Sequence, residues 1–207
     1  MELYGRSSSH FTRIPRIFAA ELEVALDFHP IHDLMSADPT VFGGHPALKM
    51  PTLHAGGEAW FGALPICREL ARHSGLNLDI VWPEDLSDAV ASNAQELVLT
   101  GMGTGVGLIM GKATGVAEDN AHLAKQRASL LGTLDWLEGH VSEAIDALPA
   151  MRDLSFLEVS LFCMLEHLEF RGVVSLAPYP ALRAFVARFG ARSAARATAF
   201  RYDAAQA

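Results

Sequence analysis

The chain has 207 residues, half of them hydrophobic, with a formal charge of −8 at pH 7 and a pI near 5.5. That length and apolar content suit one large domain or two small ones with a sizeable core. The acidic balance excludes the usual footprint of a nucleic-acid or anionic-membrane binder, in which positive charge is concentrated on one face.

Met1-Glu2-Leu3-Tyr4 reads as a short strand and has neither the basic start nor the apolar run of a signal peptide, so no export is expected. Gly5-Arg6-Ser7-Ser8-Ser9 follows as a turn rich in groups that cap helices. From His10 to Leu22 the apolar residues Ile14, Ile17, Phe18 and Leu22 recur at helical steps, with Pro15 expected in the first turn. Ala25 to Pro30 reads as a second strand, and His32 to His45 as a loop with at most one irregular helical turn.

Pro51 stands where a strand should begin and cannot donate to a sheet ladder, so Lys49-Met50-Pro51 is punctuation before a strand. A cis bond there, accessible to an X-Pro peptide at about 0.5–1 kcal/mol, leaves the peptide groups of Met50 unpaired and open to an extended ligand. Thr52-Leu53-His54 and Ala59-Trp60-Phe61 flank a glycine turn and predict a hairpin. A helix then runs from Gly62 to Ser74. Strand, helix, strand, loop, hairpin, helix makes a small mixed sheet with helices packed on it, a thioredoxin-like arrangement over residues 1–75.

Residues 76–83 read as a linker, and beyond Pro83 strand signals stop. Glu84 to Thr114, Glu118 to Leu148, Ser155 to Arg171 and Pro180 to Gly190 show helical spacing, so residues 84–207 are expected to form an all-helical domain with a short last helix and a frayed tail. Leu97 to Gly111, the least polar segment, is shorter than the about 20 apolar residues of a bilayer span. Its five glycines, from Gly101 to Gly111, cost a helix about 4–5 kcal/mol relative to alanine, which predicts a break, a bend or a close neighbour there. Cys67 and Cys163 lie in apolar helical patterns and read as buried thiols of a reducing compartment, the cytoplasm.

Lys49-Met50-Pro51-Thr52-Leu53 resembles the Lys-Val-Pro-Thr-Leu signature of the cytosolic glutathione transferases, whose proline is cis. Ser9-His10-Phe11-Thr12-Arg13-Ile14-Pro15-Arg16 resembles the turn into their first helix, where serine-type members carry the catalytic serine. Ser155-Phe156-Leu157-Glu158 matches the capping box of their helical domain, and Tyr179-Pro180-Ala181-Leu182 through Arg192-Ser193 their closing motif. The order and spacing of these motifs cover nearly the whole chain. They imply an N-terminal thioredoxin-like domain followed by a helical bundle.

The resemblance implies an enzyme that activates the thiol of glutathione, its co-substrate, for attack on a small hydrophobic electrophile held against the helical half. Ser9 corresponds to the catalytic hydroxyl, with Ser7 and Ser8 as rivals one or two residues away and helix capping as the competing role. Lys49 corresponds to a carboxylate contact, and Met50-Pro51 to backbone pairing with the cysteinyl part of the tripeptide. The departure lies at Gly62-Ala63, where most members have an acidic or amide residue followed by serine. A hydrogen bond to a charged group is worth about 1.5–3 kcal/mol, so its loss weakens glutathione roughly tenfold to a hundredfold. The N–H of Ala63 still lies at a helix N-terminus, where an anion can sit.

A homodimer is implied, as is general in the family, and no metal is expected. His29, His32, His45, His54 and His73 point to metal only if they converge. The glycines of Gly101 to Gly107 do not fit a dinucleotide fingerprint, and no Cys-x-x-Cys follows the first strand. Conjugation is the default reaction, with thiol-dependent isomerisation, lyase or peroxidase chemistry left open. The rival reading is a non-catalytic binding or interaction protein of the same fold, which Gly62-Ala63 favours.

Overall fold

In the computed structural model, which describes residues 1–117 and 119–204, the N-terminal segment forms strand β1 (Glu2–Gly5), with Leu3 and Gly5 buried between more exposed neighbours. Helix α1 (His10–Glu21) crosses to β2 (Asp27–Pro30), which pairs parallel with β1, Leu3 opposite Phe28. Strands β3 (Thr52–Ala55) and β4 (Glu58–Phe61) form the predicted hairpin, and the sheet order is β2-β1-β3-β4. Gly56 and Gly57 make its two-residue turn with φ of +60° and +85°, a conformation that fits the strand twist and that glycine adopts without a Cβ clash.

Helix α2 (Ala63–His73) packs beside α1. Leu3, Ile14, Ile17, Phe18, Leu53, Ile66 and Leu70 are fully buried and make the core of this unit, each contributing about 1.5–3 kcal/mol of apolar burial. Pro15 lies inside α1 rather than in its first turn, because the helix begins at His10. One N–H is thus missing from the ladder, and the burial of Ile14, Ile17 and Phe18 offsets the loss. The loop before the hairpin holds one short 3-10 turn, Pro39–Phe42.

The described chain divides into two compact units, Met1–Leu78 joined by the segment from Arg192 onward, and Asp79–Ala191. The sequence assigns that last segment to the helical half as a short last helix and a frayed tail. Instead its short helix α7 (Ser193–Ala197) packs on α1, and the buried Arg13 guanidinium donates to the Ala195 carbonyl at 3.0 Å. A buried cation needs such acceptors, and residues distant in the chain supply them. Residues 205–207 of the expected tail lie outside the described residues.

In the second unit β5 (Ile80–Val81) pairs parallel with β6 (Leu154–Ser155), a two-residue strand within the expected linker, too short to show a period. Helix α3 (Ala89–Ala113) is capped by Asp88, whose Oδ1 accepts from the N–H of Val90 and Ala91 at 2.8 and 3.1 Å. Helix α4 (Ala121–Asp146) is capped by Asn120, and the predicted start at Glu118 lies outside the described residues. Helix α5 (Phe156–Phe170) is apolar on nearly every face and buried accordingly, with α3 and α6 (Pro180–Gly190) packed against it.

Ser155 Oγ accepts from the Glu158 N–H at 3.2 Å, which is half of the expected capping box. The Glu158 carboxylate turns instead to the Arg152 guanidinium, with contacts of 2.7 and 2.9 Å, because a charged fork outcompetes a lone backbone donor. The glycine-rich α3 continues unbroken and uses its bare backbone for close packing. A Cβ on Gly101 would lie 2.8 Å from Met164 Sδ, on Gly107 2.9 Å from Gln126 Nε2, and on Gly111 2.9 Å from Leu123 Cδ2. Among the described residues no helix is long and apolar enough to cross a membrane.

Candidate functional site

Three sequence-distant pieces meet at one edge of the small sheet through strand register. β1 pairs antiparallel with β3, Tyr4 opposite Thr52, and β3 with β4, Thr52 opposite Phe61. One step further along both registers sets Gly5 against Pro51 and Pro51 against Gly62. The second pairing is realised as a hydrogen bond of 3.1 Å from the Gly62 N–H to the Pro51 carbonyl. The turn into α1, the Lys49-Met50-Pro51 segment and the head of α2 therefore leave the sheet side by side.

Ser9 is the N-cap of α1, with extended backbone, and its Oγ accepts from the Thr12 N–H at 3.3 Å. A hydroxyl that accepts through one lone pair keeps its proton free to donate, so capping and donation to an anion are compatible in one residue. Ser7 and Ser8 are 0% and 3% exposed, whereas Ser9 is half-buried. Of the three serines, Ser9 alone retains appreciable solvent access. The first turn of α1 holds no acidic side chain, so no charge on the helix itself offsets the positive end of its dipole.

The Met50-Pro51 peptide is cis, as the resemblance implies. Pro51 is buried, Met50 is half-buried, and Met50 forms no backbone hydrogen bond among the described residues. Lys49 is exposed and has no ion-pair partner among them. Nearby His45 is pushed below the usual imidazole range by burial, with the Lys49 cation adding to the effect, and its ring lies 4.6 Å from that of Phe61.

Gly62, with φ of +82°, occupies the N-cap of α2 and has no side chain to cap it. The N–H groups of Ala63 and Leu64 thus open the helix with no side-chain cap and no acidic residue in the first turn. Ala63 itself is buried. The site combines a hydroxyl at one helix head, an unpaired extended backbone, a free cation and a second helix head with spare N–H groups. Chemically this can hold an extended, anionic peptide and stabilise a negative charge near Ser9.

Sequence reasoning missed the C-terminal contribution to the turn. The Ser7 N–H donates to Asp203 Oδ2 at 2.8 Å, a contact 196 residues apart in the chain. No local pattern around Asp203 signals it. Of the histidines, His29 and His54 flank the Tyr4 ring at 4.7 and 5.0 Å. Glu2, Asp27 and His29 bring ligand atoms within 4.8 Å of one another, the two carboxylates exposed and His29 half-buried. Asp27 faces His29 at 3.3 Å, and Glu2 meets the Tyr4 hydroxyl at 3.3 Å and His54 at 3.7 Å. Burial, reinforced by Glu2, raises the Tyr4 phenol above its ordinary range.

Residues 120–188 match the family model of the glutathione S-transferase C-terminal domain. Among solved structures, a glutathione S-transferase from Methylobacillus flagellatus with glutathione bound is 20% identical, with 97% of this chain and 99% of that one covered at a TM-score of 0.75. A glutathione transferase family member from Pseudomonas fluorescens with bound glutathione is 18% identical over 97% and 98% of the two chains, at a TM-score of 0.79. One from Methylobacterium radiotolerans, in complex with glutathione sulfonate, is 17% identical over 100% and 99%, at 0.75. No curated protein matches the chain significantly. Residues 120–188 thus match the glutathione S-transferase C-terminal domain, and the chain as a whole has the glutathione transferase fold.

Proposed function

We propose that this protein is a glutathione transferase that activates the thiol of glutathione for attack on a small apolar electrophile. The observation that carries this reading is the unpaired backbone of Met50 beside Pro51, set by register against the head of α2 and the turn into α1. In the reading, the N–H and carbonyl of Met50 pair with the cysteinyl residue of glutathione in the manner of an added strand. Lys49 meets a carboxylate, and the γ-glutamyl end sits at the head of α2 against Gly62 and the Ala63 N–H.

Ser9 then donates its hydroxyl proton in a hydrogen bond to the thiol sulfur, while its oxygen keeps the Thr12 N–H. Together with the positive end of α1, this lowers the thiol pKa and raises the fraction of thiolate, the nucleophilic form. The thiolate attacks the electrophile, a carbon–sulfur bond forms, and the displaced electron pair leaves with the leaving group or is protonated from solvent. The chemistry uses no metal ion. We read the protein as a cytoplasmic homodimer, in keeping with the family it resembles.

Isothermal titration with reduced glutathione, wild type beside Ala63→Ser, tests the reading. Micromolar to low-millimolar binding that tightens in the variant supports it. Silence in both proteins at millimolar ligand overturns it and favours the second reading, a binding protein of the same fold. The specific observation behind that alternative is Gly62-Ala63, a helix head with no side-chain hydroxyl or carboxylate to meet a γ-glutamyl group.

A further inference from the structure

The turn that carries Ser9 is held from the far end of the chain. Both backbone groups of Ser7 are engaged by the C-terminal segment. Its N–H donates to Asp203 Oδ2 at 2.8 Å, and its carbonyl accepts from the Arg201 N–H at 3.5 Å. One turn into α1, the guanidinium of Arg13, 1% exposed, donates to the Ala195 carbonyl at 3.0 Å and to Thr198 Oγ1 at 3.5 Å. It also lies 4.3 Å from the ring centroid of Phe200. At the other end of the helix, Arg192 Nε donates to Glu21 Oε1 at 2.7 Å. The segment therefore runs along α1 from its last turn to the loop that precedes it.

We infer that residues 192–203 are a clamp on the thiol-activating turn, with Asp203 as its positioning residue. The inference rests on the glutathione transferase reading of Ser9. The turn's own restraints are bonds from the Ser9 N–H to the Arg6 carbonyl at 3.1 Å and from the Arg6 N–H to Thr12 Oγ1 at 3.4 Å, neither of which engages Ser7 or Ser8, so these two residues take their orientation from elsewhere. A carboxylate accepting a backbone N–H makes a charge-assisted hydrogen bond, about twice as strong as a neutral one. It fixes the peptide plane of Ser7, two residues ahead of the Ser9 Oγ. Hydroxyl donation to a sulfur anion is directional, so a freed turn delivers less of it.

A clamp and a simple field effect make opposite predictions. Asp203 is negative, so if it acted on the thiolate only through its charge, removing that charge would lower the thiol pKa, in Asp203→Asn and Asp203→Ala alike. If it positions the turn, Asp203→Ala raises the thiol pKa, whereas Asp203→Asn, whose amide oxygen still accepts the Ser7 N–H, stays close to wild type.

The experiment is a pH titration of bound glutathione by ultraviolet thiolate absorbance in the full-length wild type, Asp203→Ala and Asp203→Asn. Steady-state kinetics and backbone amide exchange over residues 6–12 accompany it. The clamp predicts that Asp203→Ala raises the thiol pKa by about one unit. At a pH below that pKa kcat then falls roughly tenfold, with KM for glutathione within about twofold, and Asp203→Asn restores both. Exchange over the turn quickens about tenfold in the alanine variant while the circular dichroism spectrum stays native. Asp203→Ser, too short to reach the amide, repeats the test should the alanine variant not fold.

An unchanged or lowered thiol pKa in Asp203→Ala overturns the clamp. Wild-type protein that binds no glutathione overturns the functional reading instead, and amide exchange then decides the clamp alone. Faster exchange over the turn in Asp203→Ala upholds it as a device of the fold, and unchanged exchange overturns it.

Discussion

The N–H of Gly62 donates to the carbonyl of Pro51 at 3.1 Å, tying the residue before α2 to the proline that follows Met50. This bond seats the only helix head of the sheet unit that lacks a side-chain cap, among its two long helices, beside the unpaired Met50 backbone. Ala63→Ser adds a hydroxyl at that head. Calorimetry should show glutathione binding tightened about tenfold to a hundredfold, the worth of one hydrogen bond to a carboxylate. Unchanged affinity would remove Ala63 from the γ-glutamyl site.

Ser9 caps α1 and, in the proposed mechanism, also meets the thiol. Ser9→Ala should lose about 0.5–2 kcal/mol of stability in urea unfolding from the missing cap. Its kcat/KM for conjugation should fall roughly tenfold to a hundredfold, the cost of one hydrogen bond to a charged sulfur. Ser9→Asp keeps the cap but sets a negative charge against the thiolate. It should recover the stability while leaving activity depressed, which separates the two roles.

The glycines of α3 divide by what faces them. A Cβ on Gly103 meets nothing within 4 Å, whereas one on Gly101 meets Met164 Sδ at 2.8 Å and Thr133 Cγ2 at 3.4 Å. Gly103→Ala should therefore stabilise the protein by about 0.8–1 kcal/mol through helix propensity alone. Gly101→Ala has the same propensity gain set against about 1–3 kcal/mol of overpacking and should show a melting temperature at or below wild type. Equal gains in both variants would mean that the α3 packing relaxes without cost.

Glu69 is buried in α2 and held by Arg72 at 2.8 Å and His73 at 2.9 Å. The Arg72 hydrogen bond, reinforced by His73 and opposed by burial, depresses its carboxyl below the ordinary carboxylate range. A folded-state pKa below the unfolded value adds stability that is present above the unfolded pKa and is lost as pH falls through the folded one. Glu69→Gln should thus be less stable than wild type at neutral pH. The gap should close on acidification through and below the carboxylate range, as read by denaturant midpoints at a series of pH values.

Local patterns were enough to place the elements that carry their own signals. The periodicity of Ile14, Ile17 and Phe18, the Gly56-Gly57 turn between alternating strands and the proline at position 51 are each fixed by interactions within a few residues. The same is true of the Ser155 N-cap, but not of the second half of its box, which Arg152 captured from outside the motif. The two-residue strands β5 and β6 have no period to read.

What the amino-acid sequence determined by itself is the thioredoxin-like and helical division, the residue types at Ser9, Lys49, Met50 and Gly62-Ala63, and the absence of a side-chain hydroxyl at position 63. The tertiary structure alone decided which serine keeps solvent access, because burial of Ser7 and Ser8 depends on how the turn leaves β1. It alone placed residues 192–203 against α1, since a buried guanidinium must find acceptors and Arg13 finds them at Ala195 and Thr198. It also decided which of the outcomes expected for the glycines of α3 occurs, close neighbours along an unbroken helix. The cost of a bare backbone is local, whereas the contacts it admits come from α4 and α5, which no local pattern in α3 can name.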